Sequence, residues 1–181
     1  MAVHLRPYTA AVFNATPLLP DALQRHQKAA GNDWVYDVFG SLFRKHGVEK
    51  IFGIGLLHHH FPLEDDEYLT EVRGTSTAWK SRRGMRPHVW ALGAEDGILT
   101  PLEFTMDNDD KISPTYPDWE SDQAQQFLQE LARLILNLKI DGVYGLVQYP
   151  GDDFPGCVEM TVGRANVNLT PAQAARHDSA H

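Results

Sequence analysis

Apolar residues recur along this chain with two different periods, and the periods mark out its elements. Around Leu23 the pattern is helical, and Pro20 suits a first helical turn where Asp21 adds a favourable charge. That short helix is expected to run to about Ala30 and to break at Gly31. Asn32 is placed to cap the next helix, whose face carries Trp34, Val35, Val38, Phe39, Leu42 and Phe43. Asp37, Ser41, Arg44 and Lys45 fall elsewhere on it, and Gly47 is expected to close it. The clearest amphipathic helix carries Phe127, Leu128, Leu131, Leu134, Ile135 and Leu138, from a cap at Asp118 to an end at Asp141-Gly142.

The other stretches read as strands. Ile51 to His58 is short, apolar and glycine-spaced, as in a buried strand, and Glu67 to Val72 is a second candidate. His88–Leu92 and Ile98–Phe104 flank Asp96-Gly97, a hairpin signal in which Pro101 calls for an edge position or a bulge. Val143–Tyr149 and Cys157–Val162 are two more strands. Residues 1–19 read as an extended arm or edge strand, 74–86 as a polar, basic loop, 107–117 as a loop and 170–181 as a polar tail. Strands grouped in hairpins favour α+β. The expectation is one domain over residues 1–181, with a mostly antiparallel sheet of about five to six strands and two main helices packed on it.

Composition narrows the class of protein. A chain of 181 residues fits one domain at about 150 residues each, and 43% hydrophobic residues suffice for a core. Cys157 is the sole cysteine, so no disulfide forms within the chain; with no base legible beside it, it reads as a core-type thiol and not a nucleophile. The net charge of −8 argues against a general nucleic-acid binder. No apolar run approaches the roughly 20 residues that span a bilayer, and the first residues lack a signal peptide's apolar region. The expected location is therefore the cytoplasm, and a membrane partner is not expected. The charge is uneven: nine of the 24 acids lie in three predicted loops, at 64–67, 107–110 and 152–153.

One of those loops follows three consecutive histidines, and here candidate chemistry enters. In a strand His58 and His60 share a face while His59 points away. Two imidazoles on one face can converge on an ion, and Glu64 lies four residues on to supply a carboxylate. Two His and a carboxylate with open positions suit Zn²⁺ or Fe²⁺. His88 is a further candidate metal ligand, and Glu103 either faces the histidines as a catalytic partner or pairs with Arg86 or Arg164. Without metal, a histidine beside carboxylates is a candidate general base; on the structural reading, the three histidines are half-buried groups bonded to backbone. Arg164 and Asn166 alternate with Ala165 and Val167 and line either the same cavity or the exposed face of an edge strand. Lys80, Arg82, Arg83 and Arg86, beside Trp79, form either an anion-binding pocket edge or a solvated loop.

His58-x-His60-x-x-x-Glu64 after an apolar strand resembles the first motif of the cupin family. That resemblance implies a metal held by those three residues and a further histidine, for which His88 is the candidate. The chain departs from the motif at Phe52 and Glu71, where cupins place glycines, and its long helices do not suit a jelly roll. Leu56-Leu57-His58-x-His60-Phe61, Pro101-Leu102-Glu103-Phe104 and Glu159-Met160-Thr161-x-Gly163-Arg164-Ala165-Asn166 resemble a group of mainly fungal hypothetical proteins. This implies a shared fold and no particular activity. The functional expectation is an enzyme acting on a small molecule at His58, His60 and Glu103. The alternative is a non-catalytic, inhibitor-like protein that recognises its partner through an acidic surface.

Overall fold

The computed structural model describes residues 3–29, 33–106 and 118–178. The expected positions Gly31, Asn32 and 107–117 lie outside the described residues, as do the side chains of Trp34 and Val35. The elements run β1 (His4–Leu5), α1 (Ala10–Asn14), α2 (Leu19–Lys28), α3 (Asp33–His46), β2 (Phe52–Leu56), β3 (Tyr68–Val72), β4 (Thr75–Trp79), β5 (Met85–Gly93), β6 (Ile98–Met106), α4 (Asp122–Leu138), β7 (Tyr144–Gln148), β8 (Val158–Val162), β9 (Ala165–Leu169) and α5 (Pro171–Asp178).

The expected sheet of five to six strands with two main helices is overturned. Nine strands form one curled mixed sheet in the order β2-β7-β5-β6-β3-β4-β9-β8, with β1 added in parallel on β6, and five helices are present among the described residues. The sheet is mixed because β3 and β6 also run parallel. Three elements were concealed in the expected arm, loop and tail. Thr75-Ser76-Thr77-Ala78-Trp79 forms β4 although the segment is polar. Pro171–Asp178 is helical, and Ala10–Asn14 is a short helix capped by Thr9. Pro101 sits in a central strand and not at an edge, and the β5–β6 register shifts next to it, between Val89 and Trp90.

Two apolar clusters separate the faces of the sheet. On the outer face α3 and α4 pack Phe39, Phe43, Phe127, Leu128, Leu131 and Ile135 against Phe52, Trp90, Leu92, Leu99 and Leu146. Phe52 stacks between Trp119 and Phe127 at 5.1 and 6.0 Å. The helix α4 starts at Ser121, whose hydroxyl accepts from the Ala124 amide, three residues beyond the expected cap Asp118. It ends on Lys139 in the left-handed region (φ 58°). On the inner face Phe13, Leu57, Phe61, Leu63, Leu69 and Leu102 form a second cluster, with Val89, Ala91 and Ala78 against it.

Gly145 shows how tightly the inner face is built next to the histidines. It pairs with Gly55, and a Cβ there would lie 2.4 Å from the Trp90 carbonyl oxygen and 2.5 Å from Leu57 Cδ2. Leu57 directly precedes His58 and extends the β2–β7 ladder through its amide to the Val143 carbonyl at 2.9 Å. Gly145→Ala is expected to destabilise the chain by about 2–3 kcal/mol through this overpacking. Thermal unfolding checks it, and a midpoint fall of about 4–12 °C is expected for a chain of this size.

Candidate metal centre

Curling brings the two ends of the strand order together. The segment after β2 and the edge strand β8 meet side chain to side chain. His58 Nε2 lies 2.9 Å and His60 Nε2 3.2 Å from Glu159 Oε2, and the two Nε2 atoms are 3.0 Å apart. Among the described residues, His58, His60 and Glu159 are the group close enough to hold one metal ion. His59 points the other way, with Nδ1 3.3 Å from the Thr16 hydroxyl and its amide donating to the Pro17 carbonyl.

The other ring nitrogens are tied down, which fixes how the triad is presented. His58 Nδ1 is 2.9 Å from the Leu56 carbonyl. A carbonyl only accepts, so Nδ1 carries a proton; Nε2 presents a lone pair in the neutral ring and donates to Glu159 in the protonated one. His60 Nδ1 is 2.8 Å from the Thr161 hydroxyl, which can accept in the same sense. Metal-bound histidines are commonly oriented through the second nitrogen in this way. The three facing atoms define a triangle with sides 2.9, 3.0 and 3.2 Å. Three atoms at that spacing would be close enough to hold one ion between them.

Charge couples the three groups. Burial acts to lower the His58 pKa, but the hydrogen bond and charge of Glu159 outweigh it and the net shift is upward. Burial acts to raise Glu159, and the two imidazoles outweigh it, pulling the carboxyl down to about 2. The carboxylate thus stays ionised across the physiological range, as a ligand must.

The structure separates the other expected site residues from this group. Glu64 does not join it: its carboxylate pairs with Lys80 at 3.0 Å, and Asp66 pairs with the same amine at 3.3 Å. Glu159 takes the place that sequence spacing assigned to Glu64. The signal for Glu159 was present in Val158-Glu-Met-Thr-Val162, where an acid and a threonine alternate with apolar residues. His88 and Glu103 lie outside the converging group, with Nε2 and Oε2 4.0 Å apart, but Glu103 is near enough for its charge to act on His58. Arg164 does not pair with Glu103: it holds Glu67 through two contacts, one of 3.1 Å, and also donates to the Pro62 carbonyl at 3.2 Å. Asn166 is 5% exposed, so the exposed-edge reading fails for it, while Arg164 is exposed at the β8–β9 turn. Cys157 is exposed and not a core thiol. The basic segment disperses: Lys80 turns to Glu64 and Asp66, and Arg82 lies over the Phe104 ring at 5.6 Å.

Burial keeps His88 neutral near pH 7 and places the titration of Glu103 there. Burial pushes the Glu103 carboxyl up to about 7, His58 opposing and Glu159 and Glu71 adding. Burial and the neighbouring Arg86 push the His88 imidazole down to about 4. For an acid whose folded pKa is raised, the folded chain keeps a proton that the unfolded chain has released. Stability therefore falls as pH rises from about 4.5 to about 7 and is level above. In metal-free protein Glu103→Gln is expected to be more stable than the parent by about 2 kcal/mol above pH 7 and equal to it below pH ~4.5. That magnitude allows for the 24% of the side chain that still reaches solvent. Urea titrations at pH 4 and pH 8 measure it; equal differences at both pH values would contradict it.

No helix among the described residues is long and apolar enough to cross a membrane. No protein-family model, curated protein or solved structure matches the chain.

Proposed function

We propose that the chain binds one divalent transition-metal ion, Zn²⁺ or Fe²⁺, through His58, His60 and Glu159, and that it is an enzyme acting on a small molecule at that ion. The observation that carries this reading is the convergence of two imidazole nitrogens and one carboxylate oxygen within 2.9–3.2 Å of one another. Without a cation or shared protons between them, lone pairs facing at such distances repel. Three protein ligands leave open positions for substrate or water, where a metal polarises a bound oxygen or lowers the pKa of bound water. Glu103 supplies a carboxyl that exchanges a proton near neutral pH in the same interior.

The alternative of an acidic recognition surface has less support. Three of the four acids after the histidines, Glu64, Asp66 and Glu67, are engaged by Lys80 and Arg164. Metal-induced stabilisation tests the preferred reading. At a free Zn²⁺ concentration of 100 Kd, binding stabilises the folded chain by about 2.7 kcal/mol. At ~2–4 °C per kcal/mol, the melting midpoint of untagged, chelator-treated protein should rise by about 5–10 °C. No rise with Zn²⁺, Fe²⁺, Mn²⁺ or Ni²⁺ would sink the reading.

A further inference from the structure

The strand order ends at β8, and the hydrogen-bond phase of the β8–β9 hairpin shows which backbone groups that end leaves open. Asn168 donates its amide to the Gly74 carbonyl at 2.7 Å, so the even-numbered residues of β9 direct their backbone groups to β4 and the odd-numbered ones to β8. Opposite the odd-numbered ones stand Val158, Met160 and Val162, whose N–H and C=O groups are therefore spent on the ladder. The two-residue turn Gly163-Arg164, with Gly163 at φ 60°, closes the hairpin in the same phase. Glu159 and Thr161 point their backbone groups the other way, and among the described residues β8 pairs with β9 alone. The histidines meet Glu159 and Thr161 through side chains on the inner face and not through this backbone edge.

Strand alternation turns Val158, Met160 and Val162 to the outer side, beside Leu169, Val167 and Ala165 of β9. None of the six is polar or charged. Val158 is 48% and Val162 58% exposed, the latter the most exposed large apolar side chain among the described residues. Natural sheets blunt a free edge with lysine, proline or a bulge. β8 has none of these: its register with β9 is unbroken, and its one charge, Glu159, is turned inward onto the two imidazoles.

We propose that two copies of this chain pair through β8, antiparallel, about a two-fold axis at Met160. An edge that offers N–H and C=O groups in alternation takes an extended strand. The sequence of β8 selects its own copy, because Val-Glu-Met-Thr-Val is apolar at the same positions in both directions. Centred on Met160, the pairing sets Val158 against Val162 of the second copy and Glu159 against Thr161, and these last two are the residues whose backbone groups are open. A shift of one residue opposes open backbone groups to spent ones. A shift of two residues sets Glu159 against its own copy, like charge on like, or in the other direction sets Val158 against Arg164. The contact is isologous and closes at a dimer. A ribbon of five-residue strands lies at the small end of interface sizes, so the dimer is weak, with Kd on the order of 100 µM. The pairing does not depend on a metal at the histidines.

Sedimentation velocity of the full chain in chelator, from about 5 to about 500 µM, is expected to show a monomer–dimer equilibrium. Met160→Lys and Met160→Glu each set a charge against its own copy across the axis and should each weaken the dimer about tenfold or more. An equimolar mixture of the two should recover it as a heterodimer, since the opposed charges are then unlike. Circular dichroism checks that both variants fold. If either does not, Met160→Cys in a Cys157→Ser background decides. Residues opposed in a non-hydrogen-bonded pair have Cα atoms about 4.5 Å apart, within disulfide reach, so oxidation should join two copies. Val158→Cys in the same background lies about 14 Å from its own copy and should not be joined. A chain that stays monomeric at every concentration overturns the proposal and leaves the edge to a strand of another protein. A dimer that neither charge weakens, or a mixture no better than either variant alone, overturns it as well.

Discussion

Replacing His60 by alanine is expected to lower the affinity for Zn²⁺ by more than about a hundredfold, beyond the 10–100-fold cost usual for losing an outer hydrogen-bond partner of a ligand. His58→Ala and Glu159→Gln should do the same. Each removes one of three atoms that converge within 2.9–3.2 Å, and two remaining ligands cannot hold the ion against water and buffer. Two controls sharpen the result. His59→Ala should leave affinity unchanged, because His59 faces Thr16 and Phe13. Glu64→Ala should also leave it unchanged, because that carboxylate pairs with Lys80. Competition against a chromogenic zinc chelator gives all five affinities. Loss in the Glu64 variant, with retention in the Glu159 variant, would return the site to the local spacing of the sequence.

The second large effect is expected at Arg164, which touches none of the ligands. Glu159 comes from the β8–β9 hairpin and the histidines from the segment after β2, and these are joined at the hairpin turn. Arg164 grips the Glu67 carboxylate through both Nη atoms and the Pro62 carbonyl through one. Glu67 is 4% exposed and its carboxyl is held below the usual range, first by the Arg164 hydrogen bond. Arg164→Ala should cost about tenfold in zinc affinity, in line with other residues that orient ligands. Arg164→Lys keeps the charge but not the fork and should recover only part. Because Arg164→Ala strands a buried carboxylate, Glu67→Gln and the double variant complete a cycle. If the pair acts by positioning the hairpin, the double variant loses no more affinity than either single one. Losses that multiply would mean that the two residues act independently.

Local pattern and long-range convergence differ in how they are written in the chain. The helices α2, α3 and α4 were legible because one face of each repeats at helical spacing, and the β5–β6 hairpin because Asp96-Gly97 marks its turn. The segment Thr75–Trp79 was not, because Ser76 turns a polar side chain onto a buried face where apolar residues are expected. His58 and His60 were legible as a pair through strand alternation. Their carboxylate partner was not, since Glu159 lies about a hundred residues away and is delivered only by the closure of the curled sheet. Asn166 read as an edge residue because its neighbours alternate like those of any edge strand, yet β9 is flanked by β4 and β8 and Asn166 is buried.

The claim at the centre of this account is tested most directly by the zinc-edge anomalous difference map of crystals grown with Zn²⁺. One peak per chain is predicted, within about 2.0–2.2 Å of His58 Nε2, His60 Nε2 and a Glu159 carboxylate oxygen. A map with no peak at the junction of β8 and the segment after β2, or with the ion on other residues, would contradict it.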